Sequence, residues 1–144
     1  MVKPIFSLDN IVLGASPKTK EEAIRQAGQI LVENGYVDAV YIEKMLEREE
    51  VTSTYIGNHV AIPHGTEEGK KAIHETGLSF ITVPEGVDFD GNTVKILIGI
   101  AGKGDDHLEL LSKIAIVCSE EENIQKMVNA KSKEEILQMF NEVN

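Results

Sequence analysis

Cysteine and long apolar stretches are scarce in this sequence of 144 residues. Cys118 is its one cysteine, so an internal disulfide and a cysteine-rich metal site are both excluded. The most apolar run, residues 96–101, has the length of a strand and is too short to span a membrane. Residues 1–10 lack the apolar centre of a signal peptide. These absences predict a cytoplasmic protein that is not inserted in a membrane.

Positive charge is also in short supply, with 14 Lys and Arg against 24 Asp and Glu and a net charge of −10. A nucleic-acid binder needs a basic face that replaces the counterions of the phosphates. A protein that docks on an anionic membrane needs basic clusters as well. The composition therefore argues against both classes. An acidic surface suits a basic protein partner, although most acidic proteins are simply soluble.

Size and composition predict a single domain over residues 1–144. Apolar residues make up 42% of the chain and charged residues 26%, which is typical of a globular protein with one core. There is no linker, internal repeat or low-complexity segment. The start at Met1 and the end just after a predicted helix favour a free-standing protein over a domain cut from a longer transporter.

Five helices are predicted from caps and from apolar residues at helical spacing. Capping boxes, in which a hydroxyl and a carboxylate satisfy free N–H groups of the first turn, open three of them, at residues 19–22, 119–122 and 132–135. Asp38 and Asp106 are the predicted caps of the other two. The expected inner faces carry Tyr41, Ile42, Met45 and Leu46 after Asp38, and Leu108, Leu111, Ile114, Ala115 and Cys118 after Asp106.

Three segments between these helices predict strands, at residues 58–62, 77–83 and 94–101. The last is nearly all apolar, as in a strand that is buried on both faces. Residues 84–92 are rich in turn-forming residue types and predict a connection. Helices before and after a run of strands predict an α/β fold, with a mixed β-sheet flanked by helices in one layered domain.

His64 has the setting most typical of a reactive side chain. It follows a predicted strand and Pro63, whose ring restrains the backbone, and it precedes Gly65, which permits a sharp turn. A strand that ends in a restrained turn holds a side chain in place and leaves it accessible. An ordinary loop histidine explains the same residues equally well.

His107 and Arg48 are candidate anion ligands. His107 lies at the start of the helix after Asp106, where free N–H groups and the helix dipole attract anions. Arg48 lies near the C-terminus of the second predicted helix, and a guanidinium matches the oxygens of a phosphoryl group. Each also has an ordinary explanation, since His107 can be a surface residue and Arg48 a surface ion-pair partner.

The remaining candidates are weaker. In an extended strand His59 and His64 lie on opposite faces, which makes them a poor metal site, and His74 lies in a polar stretch. Cys118 is expected to be a small buried apolar residue. The signatures of nucleotide hydrolysis, dinucleotide binding, serine hydrolysis and zinc proteolysis are absent from the sequence.

Four segments taken together resemble one family. They are Met-Leu-Glu-Arg-Glu at 45–49, Tyr-Ile-Gly-Asn-His-Val-Ala-Ile-Pro-His-Gly-Thr at 55–66, Gly-Val-Asp-Phe at 86–89 and Asp-His-Leu at 106–108. On these segments the chain resembles the enzyme IIA component of the bacterial phosphoenolpyruvate-dependent sugar phosphotransferase system, of the mannitol/fructose type. The resemblance covers essentially the whole chain, and Ala-Ile-Pro-His-Gly is its most specific string.

The resemblance implies a role for each candidate. His64 is the phosphorylated nucleophile, His107 lies beside it and stabilises the phosphoryl group, and Arg48 contacts that group. Neither a cofactor nor a metal is implied. The phosphoryl donor is the histidine carrier HPr, and the acceptor is a cysteine of enzyme IIB, alone or within a IIBC permease. Cys118 lies outside every matched motif and is not that cysteine.

The sugar and the dominant role stay open at this point. Residues 36–66 and the Pro-Glu-Gly-Val segment most resemble mannitol-type members. Fructose-type and nitrogen-regulatory members share the Pro-His-Gly histidine, so a binding module switched by phosphorylation is the alternative. A structural domain with incidental histidines is a third interpretation. If the phosphocarrier interpretation holds, the imidazoles of His64 and His107 should lie within reach of one phosphoryl group.

Overall fold

The computed structural model describes residues 3–143. Its centre is a five-stranded mixed sheet with helices on both faces, which confirms the α/β fold expected from the sequence. The strands are β1 (Ile11–Val12), β2 (Tyr55–Gly57), β3 (Val60–Ala61), β4 (Gly77–Phe89) and β5 (Asn92–Ala101). The α-helices of the described range are α1 (Lys20–Glu33), α2 (Val40–Val51), α3 (Asp106–Cys118), α4 (Glu121–Val128) and α5 (Lys133–Met139). Over residues 3–143, no helix combines the length and apolar character needed to cross a membrane.

The long hairpin of β4 and β5 forms the middle of the sheet, in the order β1-β4-β5-β3-β2. β4 and β5 pair antiparallel, whereas β1 runs parallel to β4 and β3 runs parallel to β5. β2 closes the far edge by pairing antiparallel with β3. The short strand β3 therefore lies beside the buried strand β5, and the chain leaves β3 directly into the Pro63-His64-Gly65 turn.

A hydrophobic core lies on each face of this sheet. Successive residues of a strand point to opposite faces, so Ile81 and Leu97 pack towards α1 and α2, whereas Phe80 and Ile96 pack towards the C-terminal helices. This double burial explains why the sequence of β5 is almost continuously apolar.

The hydroxyl half of each capping box at Thr19 and Ser132 is confirmed. The carboxylate half differs, because each glutamate accepts a hydrogen bond from the N–H of the residue before the cap. Thr19 Oγ1 accepts a hydrogen bond from Glu22 N at 3.1 Å, and Ser132 Oγ accepts one from Glu135 N at 3.3 Å. The box predicted at Ser119 is wrong, because this hydroxyl instead donates to Ile116 O, at 2.9 Å, in the last turn of α3. α4 begins one residue later than the box indicated, at Glu121, with Glu120 in β conformation at its N-cap.

The predicted aspartate caps are also wrong. The carboxylate of Asp38 lies 2.7 Å from His74 Nε2, and α2 follows a helical Ala39 with no side-chain cap. Asp106 is the first residue of α3, and its carboxylate accepts a hydrogen bond from Thr76 Oγ1 at 2.6 Å. Both carboxylates bind tertiary partners, which the local pattern does not encode.

The inner face of α3 differs from the prediction. Leu108 is 72% exposed and Ala115 is exposed, whereas Leu110, Ile114 and Cys118 are buried. Positions four residues apart lie on the same side of a helix, so Leu110, Ile114 and Cys118 form the face against the sheet. α3 contains so many apolar residues that its sequence is compatible with more than one buried face.

Two strand predictions need correction. Residues 84–92 are not a long loop, because β4 and β5 continue into this segment and Val87 pairs with Val94. The connecting turn consists of Asp90 and Gly91 alone, with φ of 55° and 98°. A register shift between Thr82 and Val87 accommodates the turn-forming residues within the hairpin.

The strand predicted at residues 58–62 is shorter than expected. β3 contains Val60 and Ala61 alone, and β2 precedes it unpredicted. Asn58 and His59 have φ of 50° and 67°, so they form the tight turn of a hairpin. His59 is therefore not part of a strand, and the opposite-face argument does not apply to it.

Candidate active site

His64 is held by backbone contacts on the strand side. Ile62 N donates to Thr54 O at 3.0 Å, and Ile100 N of β5 donates to Pro63 O at 2.9 Å. His64 also forms an isolated parallel bridge with Ile100. The turn after β3 is thus an extension of the sheet, which explains how a loop residue has a defined position.

The ring of His64 has a defined tautomer. Its Nδ1 lies 2.8 Å from the carbonyl oxygen of Ile62. A carbonyl oxygen can only accept a hydrogen bond, so Nδ1 carries the proton and donates. Nε2 is therefore the nitrogen with the free lone pair, which is the atom able to act as a nucleophile.

His107 lies against His64, as the phosphocarrier interpretation required. The centroids of the two rings are 4.9 Å apart and their planes are inclined by 55°. His107 is in the first turn of α3, and the preceding loop is tied down by Thr76, whose Oγ1 accepts from Lys103 N at 3.0 Å and donates to Asp106. A Cβ on Gly102 would lie 2.6 Å from His107 Cα, so only glycine permits this close approach.

Arg48 completes the group of candidates. It lies in the last turn of α2, where its Nη1 donates to Thr52 O at 2.8 Å. Arg48, His64 and His107 all line one cavity of about 240 Å³, together with Thr66 and Lys70. The cavity is large enough for a phosphoryl group, and its cationic and N–H groups suit an anion.

Burial lowers the pKa of both histidines. For His64, burial is the main cause and the positive charge of Arg48 adds to it, while the Ile62 carbonyl and Glu49 act in the opposite direction. For the pKa of His107, burial is again the main cause, followed by repulsion from His64 when that ring is protonated and from Lys70, while Glu67 acts in the opposite direction. Both rings therefore favour the neutral form, in which a nitrogen lone pair is available.

The sequence did not single out three residues that lie in or near this cavity. Glu49 is a carboxylate only 5% exposed. Its Oε1 accepts from Thr54 N at 3.0 Å and from Thr54 Oγ1 at 2.6 Å, and its Oε2 lies 3.6 Å from Lys20 Nζ.

Lys70 lines the cavity and pairs with Glu67 at 3.2 Å. The hydroxyl of Tyr41 contacts the backbone beside His64. Nothing in the local sequence distinguishes these residues from surface charges or from core.

The other candidates lie elsewhere. His59 Nδ1 donates to Thr93 O at 2.9 Å, and His74 pairs with Asp38 on an exposed surface. Cys118 is buried, as expected, and burial raises the pKa of its thiol to about 12, which disfavours the nucleophilic thiolate. Within residues 3–143 no group of three or more His, Cys, Asp or Glu side chains could hold a metal ion.

Comparison with known proteins identifies the family. Residues 4–143 match the family described as phosphoenolpyruvate-dependent sugar phosphotransferase system, EIIA 2. The chain belongs to this family. The resemblance inferred from the sequence is thereby confirmed.

Two relatives of this EIIA chain in sequence carry the same name. It is 61% identical to the mannitol-specific phosphotransferase enzyme IIA component of Geobacillus stearothermophilus, and each chain is covered in full. It is 54% identical to the component of the same name in Bacillus subtilis, with 97% of this chain and 99% of the relative covered.

Solved EIIA structures share the fold. The complex of enzyme IIAMTL and phosphorylated enzyme IIBMTL from Escherichia coli has a TM-score of 0.89 at 36% identity, with 95% of this chain and 97% of that chain covered. The nitrogen regulatory protein IIA-Ntr of Neisseria meningitidis has a TM-score of 0.81 at 29% identity, with 94% and 96% covered. By both measures the chain is more similar to the mannitol structure.

Proposed function

We propose that this EIIA chain is a phosphocarrier in which His64 receives a phosphoryl group from phospho-HPr and passes it to a cysteine of enzyme IIB, alone or within a IIBC permease. One observation carries the proposal: the 2.8 Å bond from Nδ1 to the Ile62 carbonyl leaves the Nε2 lone pair of His64 free beside His107 and Arg48. The names of the relatives support mannitol as the sugar. The protein acts in the cytoplasm, with residues 1–144 as one EIIA domain.

The transfer is a displacement at phosphorus. The lone pair on Nε2 of His64 forms the new N–P bond while the N–P bond of the donor histidine breaks and its electron pair returns to the donor ring. Arg48 and a ring N–H of His107 stabilise the charge on the phosphoryl oxygens during this exchange. In the second step a thiolate of enzyme IIB attacks the same phosphorus, and His64 recovers its electron pair.

Electrostatics of the site favour both steps. The lowered pKa of His64, caused mainly by burial, keeps the imidazole neutral and nucleophilic at physiological pH. The lowered pKa of His107 lets it act as a neutral hydrogen-bond donor to the phosphoryl oxygens. Arg48 and Lys70 both line the cavity and supply cationic groups for the transferring phosphoryl group.

The mass of the intact protein tests the phosphorylated residue. After incubation with phosphoenolpyruvate, enzyme I and HPr, the wild type should gain one phosphoryl group that mild acid removes. His64→Ala should gain none and remain folded. His74→Ala, at an exposed histidine outside the cavity, is the matched control and should be phosphorylated like the wild type.

Two results would contradict the proposal. The first is a wild type that gains no phosphoryl group while a known EIIA protein does so in the same mixture. The second is a His64→Ala variant that is still phosphorylated. The sugar is tested separately, by supplying the phosphorylated protein to membranes that contain a mannitol or a fructose permease; transfer to fructose alone would contradict the assignment of mannitol.

A further inference from the structure

The hydroxyl of Tyr41 connects two backbone groups that flank His64. Tyr41 lies in the first turn of α2 and is 2% exposed. Its hydroxyl donates a hydrogen bond to Ile100 O at 2.7 Å and accepts one from Gly65 N at 2.9 Å. One buried oxygen atom therefore joins α2, β5 and the turn that contains His64.

These contacts close a ring of hydrogen bonds around His64. Ile100 N donates to Pro63 O, on the N-terminal side of His64, and Ile100 O accepts from Tyr41. Tyr41 in turn accepts from Gly65 N, on the C-terminal side. The peptide groups before and after His64 are thus both tied to the same residue of the central sheet, one directly and one through the tyrosine.

The Tyr41 ring packs against the turn that contains His64, and the Tyr41 hydroxyl stays protonated. A Cβ on Gly65 would lie 2.6 Å from Tyr41 Cε1, so the aromatic ring lies directly against the backbone of the turn. Burial raises the pKa of the Tyr41 hydroxyl to about 12. The hydroxyl therefore keeps its proton, and hence its bond to Ile100 O, over the whole physiological pH range.

We propose that Tyr41 is a positioning residue for phosphoryl transfer, which holds the backbone of His64 so that Nδ1 stays bonded to the Ile62 carbonyl and Nε2 stays available. This inference rests on the proposed function of His64. The Tyr41 hydroxyl is buried, donates to one backbone group and accepts from another, so its role is to hold the turn. It acts through His64.

Tyr41→Phe removes the hydroxyl and retains the ring. Gly65 N–H and Ile100 C=O then lose their partner, the turn gains freedom, and the bond from His64 Nδ1 to Ile62 O weakens. Tyr36→Phe is the matched control. Tyr36 is also 2% exposed, and its hydroxyl donates to Pro4 O at 2.7 Å and accepts from Asn10 Nδ2 at 3.1 Å, away from the cavity.

Two measurements distinguish positioning from a general loss of stability. The first is ¹⁵N NMR of the His64 ring in the unphosphorylated protein. The wild type and Tyr36→Phe should show the single tautomer protonated at Nδ1, whereas Tyr41→Phe should show a second tautomer protonated at Nε2. The second is the rate of phosphorylation by phospho-HPr, for which kcat of Tyr41→Phe should fall by about tenfold or more with KM unchanged.

The proposal is overturned if Tyr41→Phe keeps the wild-type tautomer and kcat, or if only KM changes. Failure of this inference can be told apart from failure of the proposed function. The tautomer of His64 is measured in the unphosphorylated protein, so it reports on Tyr41 even if the wild type accepts no phosphoryl group. Gly65→Ala perturbs the same contact from the side of the turn, and it serves as the second variant if Tyr41→Phe does not fold. It should shift the tautomer in the same direction, and an unchanged tautomer would overturn the proposal.

Discussion

At the scale of single residues, the site depends on histidines held neutral by their surroundings. Burial and the charge of Arg48 disfavour the doubly protonated, cationic form of the His64 ring. In the neutral ring, the Ile62 carbonyl accepts from Nδ1 and so fixes the single N–H at that nitrogen. Glu49 acts in the opposite direction and is itself held by Thr54. Nucleophilicity here is a property of the environment, since the imidazole is the same in every histidine.

The lowered pKa of His64 predicts a pH dependence of stability. In the unfolded chain the His64 side chain has the ordinary histidine pKa of about 6.5. In the folded protein burial lowers the pKa of His64, so the unfolded state binds more protons in the interval between the two values. The free energy of unfolding should therefore fall as pH decreases below about 6.5 and stop falling below the pKa of the folded state.

Urea denaturation of the wild type and His64→Gln at a series of pH values between 7.5 and 4.5 measures this effect. The variant should lose less stability on acidification than the wild type, because glutamine does not titrate. His107 remains in the variant, and burial lowers its pKa as well, so part of the dependence should persist. Identical pH profiles for the two proteins would show that His64 makes no contribution.

At the scale of elements, the position of α3 determines where His107 lies. The helix begins without a side-chain cap, and Thr76 and Gly102 hold its N-terminal loop instead. Prediction was accurate for helices with a local signal, as at Thr19 and Ser132. It failed at Asp38 and Asp106, where the carboxylates bind residues distant in the chain.

Gly102→Ala should move the N-terminus of α3. The added Cβ would meet His107 backbone atoms at 2.6 to 2.7 Å, closer than atoms can approach, so the helix has to shift. We expect a loss of about 1–3 kcal/mol in the free energy of unfolding, which is typical of overpacking. The rate of phosphoryl transfer to enzyme IIB should fall as well. Denaturation and transfer kinetics measure the two effects.

Gly104→Asn is the control in the same loop. A Cβ at this position meets nothing within 4 Å, and asparagine tolerates the φ of 62° better than most residues. Its stability and transfer rate should stay near those of the wild type. Equal losses in the two variants would mean that any change in this loop is harmful and that the contact with His107 has no special role.

At the scale of the whole molecule, the site exists because a sheet buried on both faces supplies a rigid frame. β5 lies in the middle of that frame, and Ile100 near its end binds both the turn of His64 and Tyr41. Phe80 packs beneath the C-terminal helices with Phe6 and Phe140, at ring-centroid distances of 6.4 and 5.9 Å. Stability and site geometry thus share the same strands.

Phe80→Ala should lower the free energy of unfolding by about 3–5 kcal/mol, through the lost transfer energy and the cavity left behind. Val40→Ala, at an exposed apolar residue, should change it by no more than about 0.5 kcal/mol. Thermal or urea denaturation measures both. The fraction of Phe80→Ala that remains folded should still be phosphorylated on His64. A loss below about 1 kcal/mol would show that this aromatic cluster is not a tightly packed core.

The sequence alone determined the α/β class, two of the helix caps and, through the matched motifs, the family and its candidate residues. Such features depend on neighbours within a few residues, because caps, periodicity and turns are local. Only the tertiary structure decided the strand order, the 4.9 Å separation of the His64 and His107 rings, the burial of Glu49 and the contact of Tyr41 with the turn. These features join residues distant in the chain, and their geometry depends on how helices and strands pack around one shared sheet.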